Sequence, residues 1–67
     1  MRKNYYRIWT NGGRYYKGGS YNQVFLTKEK NEATAVREDD LEFYMSMFDE
    51  DEDSPYAEYW YSVVEED

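Results

Sequence analysis

Short stretches of alternating apolar and polar residues dominate the first part of the chain. Three of them are rich in aromatic and β-branched residues, as strands are: residues 4–10 (NYYRIWT), 14–17 (RYYK) and 22–27 (NQVFLT). Asn11-Gly12-Gly13 predicts a tight hairpin turn between the first two strands, because Asn and Gly tolerate a positive φ. Residues 18–20 (GGS) predict the next break. The simplest arrangement is a three-stranded antiparallel meander.

The spacing of apolar residues becomes helical near residue 40. Leu41, Tyr44, Met45 and Phe48 fall at i, i+3, i+4 and i+7, which predicts a helix with one apolar stripe. An Asp at position 39 or 40 can cap its first turn. The helix should end near residue 48 or 49, because the acidic run that follows is unfavourable at the negative end of the helix dipole.

Two segments flank this helix. Residues 28–35 are polar without a clear period and predict a turn or a short helical segment, after which Val36 packs at the approach to the helix. Residues 56–64 (YAEYWYSVV) predict the last strand, with Tyr59, Tyr61 and Val63 on one face and Trp60, Ser62 and Val64 on the other.

The order of these elements, β-β-β-α-β, predicts a single small α+β domain over residues 1–67. We expect an antiparallel sheet of three to four strands with one helix packed on one face. A core of this size is marginal, and the chain contains neither Cys nor His. Its fourteen aromatic residues are therefore the natural source of stability.

Charge is divided unevenly along the chain. All eight basic residues lie in the first thirty-seven positions, whereas thirteen of the fifteen acidic residues lie between Glu38 and Asp67, and the net charge is −7. Such an asymmetry indicates interaction surfaces. So many like charges repel one another and destabilise a compact state. A binding role for these carboxylates would explain why that cost is tolerated.

The residue types argue against catalysis and against a metal site. Nucleophilic triads need a base beside Ser or Cys, and no His is present; solvated carboxylates offer no tuned acid–base pair. Asp49, Asp51 and Asp53 have the spacing that opens an EF-hand loop, but Ser54 replaces its Gly and Trp60 its bidentate Glu. We expect no enzyme activity, no cofactor and no metal.

The aromatic and basic residues of the first hairpin raise the alternative of single-stranded nucleic acid, whose bases can stack on such rings. The net charge opposes phosphate binding, so nucleic acid is not the favoured partner. No apolar run is long enough to span a membrane, and we expect a soluble, cytoplasmic protein without membrane contact.

The segments YYRIWTNGGRYYKGG and VFLTKEKNEATAV, the acidic helix and the closing YWYSVVEE resemble small proteins encoded by bacteriophages, many of them early accessory or anti-defence proteins. In composition the chain is also similar to phage DNA mimics, including acidic anti-CRISPR proteins, anti-restriction proteins and uracil-DNA glycosylase inhibitors. Those groups share a strategy and no single fold. The resemblance implies an inhibitor that binds a host protein through a DNA-like acidic surface.

The sequence therefore predicts a non-enzymatic inhibitor of a bacterial host's defence or nucleic-acid-processing protein, which binds a basic surface of that protein. The predicted partner-binding residues are Glu38, Asp39, Asp40, Glu42, Asp49, Glu50, Asp51, Glu52, Asp53 and, as the aromatic anchor, Tyr56. The alternative is a self-associating scaffold module, in which the basic half of one subunit meets the acidic half of another.

Overall fold

A computed structural model describes residues 1–20, 23–49 and 51–65. The strands, numbered in chain order, are β1 Arg2–Thr10, β2 Tyr15–Ser20, β3 Gln23–Thr27, β4 Val36–Arg37 and β5 Pro55–Val64. The helical segments are two 3₁₀ turns, Lys30–Glu32 and Glu38–Asp40, and the α-helix α1, Leu41–Met45. The predicted α+β class, with an antiparallel sheet and one helix, is confirmed.

The strand β1 is the centre of the sheet. Its Trp9 pairs with β2 and with β5, and its Tyr6 pairs with β4 and with β5. A strand pairs only through its two edges, so β5 takes one edge of β1 from Arg2 to Thr10 while β2 and β4 share the other. Because β3 lies beside β2, the predicted meander of the first three strands is also confirmed.

The hairpin between β1 and β2 is closed by the predicted Asn-Gly-Gly turn. The amide of Gly13 donates to the carbonyl of Thr10 at 2.9 Å, and the amide of Thr10 donates to the carbonyl of Arg14 at 2.8 Å. Gly13 has a φ of +79°, which glycine adopts without a steric penalty.

The break predicted at residues 18–20 is wrong, because β2 continues through both glycines. An irregularity at Lys17 shifts the register between Tyr16, which pairs with Leu26, and Gly18, which pairs with Phe25. Gly19 has a φ of +103°, and a Cβ at this position would overlap the carbonyl oxygen of Gln23. Here glycine lets two strands approach closely instead of ending one of them.

The short strand β4 was not predicted, because a segment of two residues is too short to show an alternation of apolar and polar positions. Just before it, the Thr34 amide donates to the carbonyl of Tyr16 at 2.9 Å, and its hydroxyl donates to the carbonyl of Lys17. Val36 then pairs with Tyr6 of β1. The segment thus passes from β2 to β1 and extends the sheet along the first half of β1. The 3₁₀ turn at Lys30–Glu32 agrees with the prediction for residues 28–35.

The helix is shorter than predicted. A 3₁₀ turn precedes α1, and Asp40 makes no side-chain capping bond. After Met45 the amides of Met47 and Phe48 bond three residues back, to the carbonyls of Tyr44 and Met45, so the last turn has 3₁₀ geometry. None of the helices in the described ranges is long and apolar enough to cross a membrane.

The core lies between α1 and one face of the sheet. Ile8, Tyr16, Val36 and Phe48 are buried together. The partly buried residues packed against them are Val24, Leu26, Leu41, Tyr44, Met45 and Met47. The apolar stripe predicted for the helix therefore faces the core. Burial, with the neighbouring Tyr44 as a smaller cause, raises the pKa of the Tyr16 phenol.

A β-bulge in β5 overturns the predicted division of its faces. Tyr61 pairs with Tyr5 and Tyr59 with Tyr6, so Trp60 is an extra residue. Beyond a bulge the alternation of side chains changes phase. We call the side of β1 and β5 that carries Ile8 and Ala57 the inner face, and the side that carries Arg7 and Glu58 the outer face. Tyr59, Ser62 and Val64 lie on the inner face, and Trp60, Tyr61 and Val63 on the outer face.

Replacing each glycine of β2 with alanine tests whether Gly19 is needed because β2 and β3 approach each other closely there. Gly19→Ala should lower the free energy of unfolding by about 1–3 kcal/mol, because an L side chain is strained at this φ and its Cβ would overlap a backbone atom. Gly18→Ala, whose Cβ would meet no atom within 4 Å, should change it by less than about 0.5 kcal/mol. Urea unfolding followed by circular dichroism measures both; equal effects would contradict the pairing of Gly19 with β3.

Candidate partner-binding site

An open groove lies between α1 and the chain segment that leads into β5. Its volume is about 780 Å³, and its lining residues are Glu42, Met45, Ser46, Asp51, Ser54, Pro55 and Tyr56. Three of the predicted partner-binding residues, Glu42, Asp51 and Tyr56, therefore meet at one site although fourteen positions separate the first from the last. The helix also contributes the apolar side chain of Met45 to this lining.

The acidic side of this groove is held by a turn that begins at Asp49. The Asp49 carbonyl accepts from the amides of Glu52 at 3.2 Å and Asp53 at 2.7 Å, and its carboxylate accepts from the Asp51 amide at 2.9 Å. The Ser54 carbonyl then accepts from the Asn11 amide at 3.1 Å. The end of the acidic run is thus tied to the β1–β2 hairpin through the residue that follows it. Glu50 lies outside the described residues.

The described acids around the groove form no ion pairs with basic residues of the chain. None of the chain's eight basic residues forms an ion pair with a described acid of this region, which comprises Glu42, Asp49, Asp51, Glu52 and Asp53. Asp40 is likewise exposed and makes no ion pair within the part of the chain that the structure describes. This end of the molecule therefore presents concentrated negative charge.

Glu38 and Asp39 are placed elsewhere and are engaged by the chain itself. They line a second, smaller cleft together with Arg2, Lys3 and Arg37. Asp39 is 3.7 Å from the Lys3 ammonium. The two clefts share no lining residue, so Glu38 and Asp39 lie in a mixed-charge cleft that is separate from the uncompensated groove. The predicted residues Asp40, Asp49, Glu52 and Asp53 line neither cleft.

The Glu38 carboxylate belongs to a polar network on the inner face. It accepts from the Tyr6 hydroxyl at 3.2 Å and from the Asn4 amide nitrogen at 3.4 Å. The Asn4 side-chain oxygen in turn accepts a hydrogen bond from the Ser62 hydroxyl. The Ser62 hydroxyl oxygen lies 2.8 Å from the Tyr59 hydroxyl oxygen. Desolvation, then the hydrogen bond to Glu38, raises the pKa of the Tyr6 phenol.

Tyr56, the predicted anchor, is held in place by an aromatic neighbour. Its ring stacks on Trp9, with 4.8 Å between centroids and 27° between planes, and the residue remains 47% exposed. A ring that is already ordered and still accessible can bind a partner with little further loss of conformational entropy. This arrangement suits an aromatic contact at the rim of the groove.

The outer face carries a charged cluster that sequence reasoning missed. Arg7 Nε lies 3.3 Å from one Glu58 oxygen, and Lys30 Nζ lies 3.4 Å from the other. The Arg7 guanidinium is 4.7 Å from the centre of the Trp60 ring, and its side chain is 13% exposed. No sequence signal links Arg7 to Glu58, because only the register of β1 and β5 brings them together.

The aromatic rings of β1 are also engaged within the chain. Tyr5 stacks on Tyr61 with 5.0 Å between centroids, and Tyr6 meets Tyr59 edge to face at 5.8 Å. Bases of a single strand would have to displace or cover these pairs, and Arg7 is already neutralised by Glu58. These contacts give the aromatic residues of β1 a structural role in joining β1 to β5.

Comparison with known proteins does not assign the chain to a family: no family model matches it, and neither does any curated protein or solved structure. The groove, the mixed-charge cleft and the outer-face cluster are therefore the observations from which a function can be argued.

The two cations around Glu58 should contribute unequally to stability. Glu58→Gln removes the partner of the nearly buried Arg7 and should lower the free energy of unfolding by about 1–3 kcal/mol. Lys30→Ala breaks the exposed ion pair to the same carboxylate and should cost less than about 0.5 kcal/mol. Urea denaturation measures both values, and a larger loss for Lys30→Ala would contradict this assignment.

Proposed function

We propose that this chain is a non-enzymatic binding protein that docks a basic surface of a protein partner on its acidic groove. In the form that the sequence resemblance implies, it is a phage-encoded inhibitor acting in the bacterial cytoplasm. It would occupy the basic site of a host defence or nucleic-acid-processing protein and block that site by stoichiometric binding.

One observation carries this proposal: unpaired carboxylates converge with an ordered, half-exposed tyrosine at a single groove. Glu42 supplies charge from α1, Asp51 supplies charge from the segment that precedes β5, and Tyr56 supplies the aromatic surface. The other two candidate regions support it less, because Glu38 and Asp39 lie among cations and Glu58 is neutralised from both sides.

The two kinds of side chain would act at different stages of binding. Uncompensated carboxylates raise the rate of encounter with a cationic surface, and salt screens this attraction. Tyr56 would then add short-range contact after docking, as aromatic residues do at the centre of interfaces. Since Glu38 and Asp39 lie at a separate cleft, the groove favours local charge complementarity over mimicry of a long stretch of DNA.

The proposal is tested by affinity capture from a bacterial lysate on immobilised protein at low salt. Asp51→Lys reverses one wall of the groove, whereas Glu29→Lys makes the same change of charge at an exposed position away from it. A partner should bind the native protein and Glu29→Lys, elute with salt, and bind Asp51→Lys at least about tenfold more weakly.

Equal loss in the two variants would show that net charge alone governs capture, and undiminished binding by Asp51→Lys would contradict the groove. Sedimentation of the purified protein examines the alternative function. A salt-sensitive homo-oligomer that captures no host protein would favour the self-associating module.

A further inference from the structure

The strand β5 has one edge that no other described element pairs with. It pairs with β1 along that strand's full length, and β2 and β4 occupy the opposite edge of β1. At ten residues, β5 is the longest strand in the described ranges. Its unpaired edge therefore presents a row of backbone donors and acceptors to solvent.

This edge lacks most of the features by which proteins prevent strand addition. Within β5 the only charged side chain is Glu58, and it lies on the outer face between Arg7 and Lys30. The only proline is the first residue, Pro55. The bulge at Trp60 interrupts the strand, but Pro55–Tyr59 on one side of it is regular. Tyr56 and Tyr59 are about half exposed on opposite faces of that segment.

Acidic residues stand at both ends of β5. Asp53 precedes it, and Glu65 follows, continued in the sequence by Glu66 and Asp67. If a second copy paired antiparallel through its own β5 in centred register, acids would face acids at both ends of the ladder. Such like-charge flanks oppose self-pairing. The same flanks would attract a strand that carries cations at its ends.

The acidic groove adjoins the start of β5. It reaches Pro55 and Tyr56, the first two residues of β5, and its described lining includes no residue of β1. The groove therefore meets β5 at its first two residues. A chain paired with the start of β5 would place its end beside Glu42 and Asp51.

We infer that the free edge of β5 binds an extended segment of the partner protein as an added antiparallel strand, with Lys or Arg at its ends and uncharged residues between them. The backbone ladder supplies the orientation, and the acids at the ends of β5 and in the groove select the cations. This inference rests on the proposed function, because it specifies the partner segment that the acidic groove receives.

The test uses three synthetic peptides and the whole native chain. The first peptide has two lysines at each end and five alternating threonines and valines between them. The second keeps the lysines and replaces both valines with prolines, which cannot donate to a ladder. The third replaces the lysines with glutamates. Affinity is measured by isothermal titration at low salt, and the contact is located by NMR amide exchange.

The first peptide should bind and protect β5 amides from exchange, while the second and the third each bind at least about tenfold more weakly. Equal binding of the first two peptides would overturn strand pairing but leave the acidic groove in place. Equal binding of the first and third would keep strand pairing but contradict charge selection and the proposed function. Failure of all three would overturn both.

Sedimentation of the purified protein tests whether a second copy of the chain occupies the free edge of β5 instead. The chain should be monomeric at low salt, where the acidic flanks repel most strongly. A low-salt dimer with protected β5 amides would show that a second copy occupies the edge, and would overturn the inference.

Discussion

The ladder between β1 and β5 is the interaction on which the rest of the structure depends. It joins residues 2–10 to residues 55–64, the most distant pairing in the described chain. Among the residues that the structure describes, only five hydrophobic ones are buried, so packing alone leaves little margin for a fold of this size. Aromatic pairs on both faces reinforce the ladder where the core does not reach: Tyr5 with Tyr61 on the outer face and Tyr6 with Tyr59 on the inner face.

The ladder also decides which charges are paired and which remain available. It places Glu58 opposite Arg7, so this acid is used for stability. It brings the segment after α1 back to the β1–β2 hairpin, where the Asn11 amide holds the Ser54 carbonyl. In that returning segment Asp49, Asp51 and Glu52 are exposed, and Asp51 lines the groove together with Glu42. The uncompensated groove is thus a consequence of how the chain returns to the sheet.

Sequence patterns predicted the elements that are determined by residues close together in the chain. The Asn-Gly-Gly turn specified the first hairpin, and the spacing of Leu41, Tyr44, Met45 and Phe48 specified the face that the helical segment buries. The length of α1 was overestimated, because the apolar stripe continues through a 3₁₀ turn that keeps the same side buried. An apolar period identifies the buried face better than it identifies the hydrogen-bonding pattern.

Features that depend on register were beyond sequence reasoning. Simple alternation gave the wrong faces for Tyr61 and Val63, because one extra residue at Trp60 changes the phase of β5. For the site, the acidic run drew attention to Asp51, which lines the groove together with Tyr56. It could not show that Glu38 is bonded by Tyr6 and Asn4, or that Asp39 is paired with Lys3, since these contacts join distant parts of the chain.

Native-state amide hydrogen exchange along β5, measured by NMR, tests the central arrangement most directly. Amides that point toward β1 should exchange slowly and those on the free edge quickly, in strict alternation that changes phase at Trp60. Uniform protection along β5 would contradict the free edge. Alternation without a change of phase would contradict the bulge and the division of faces that follows from it.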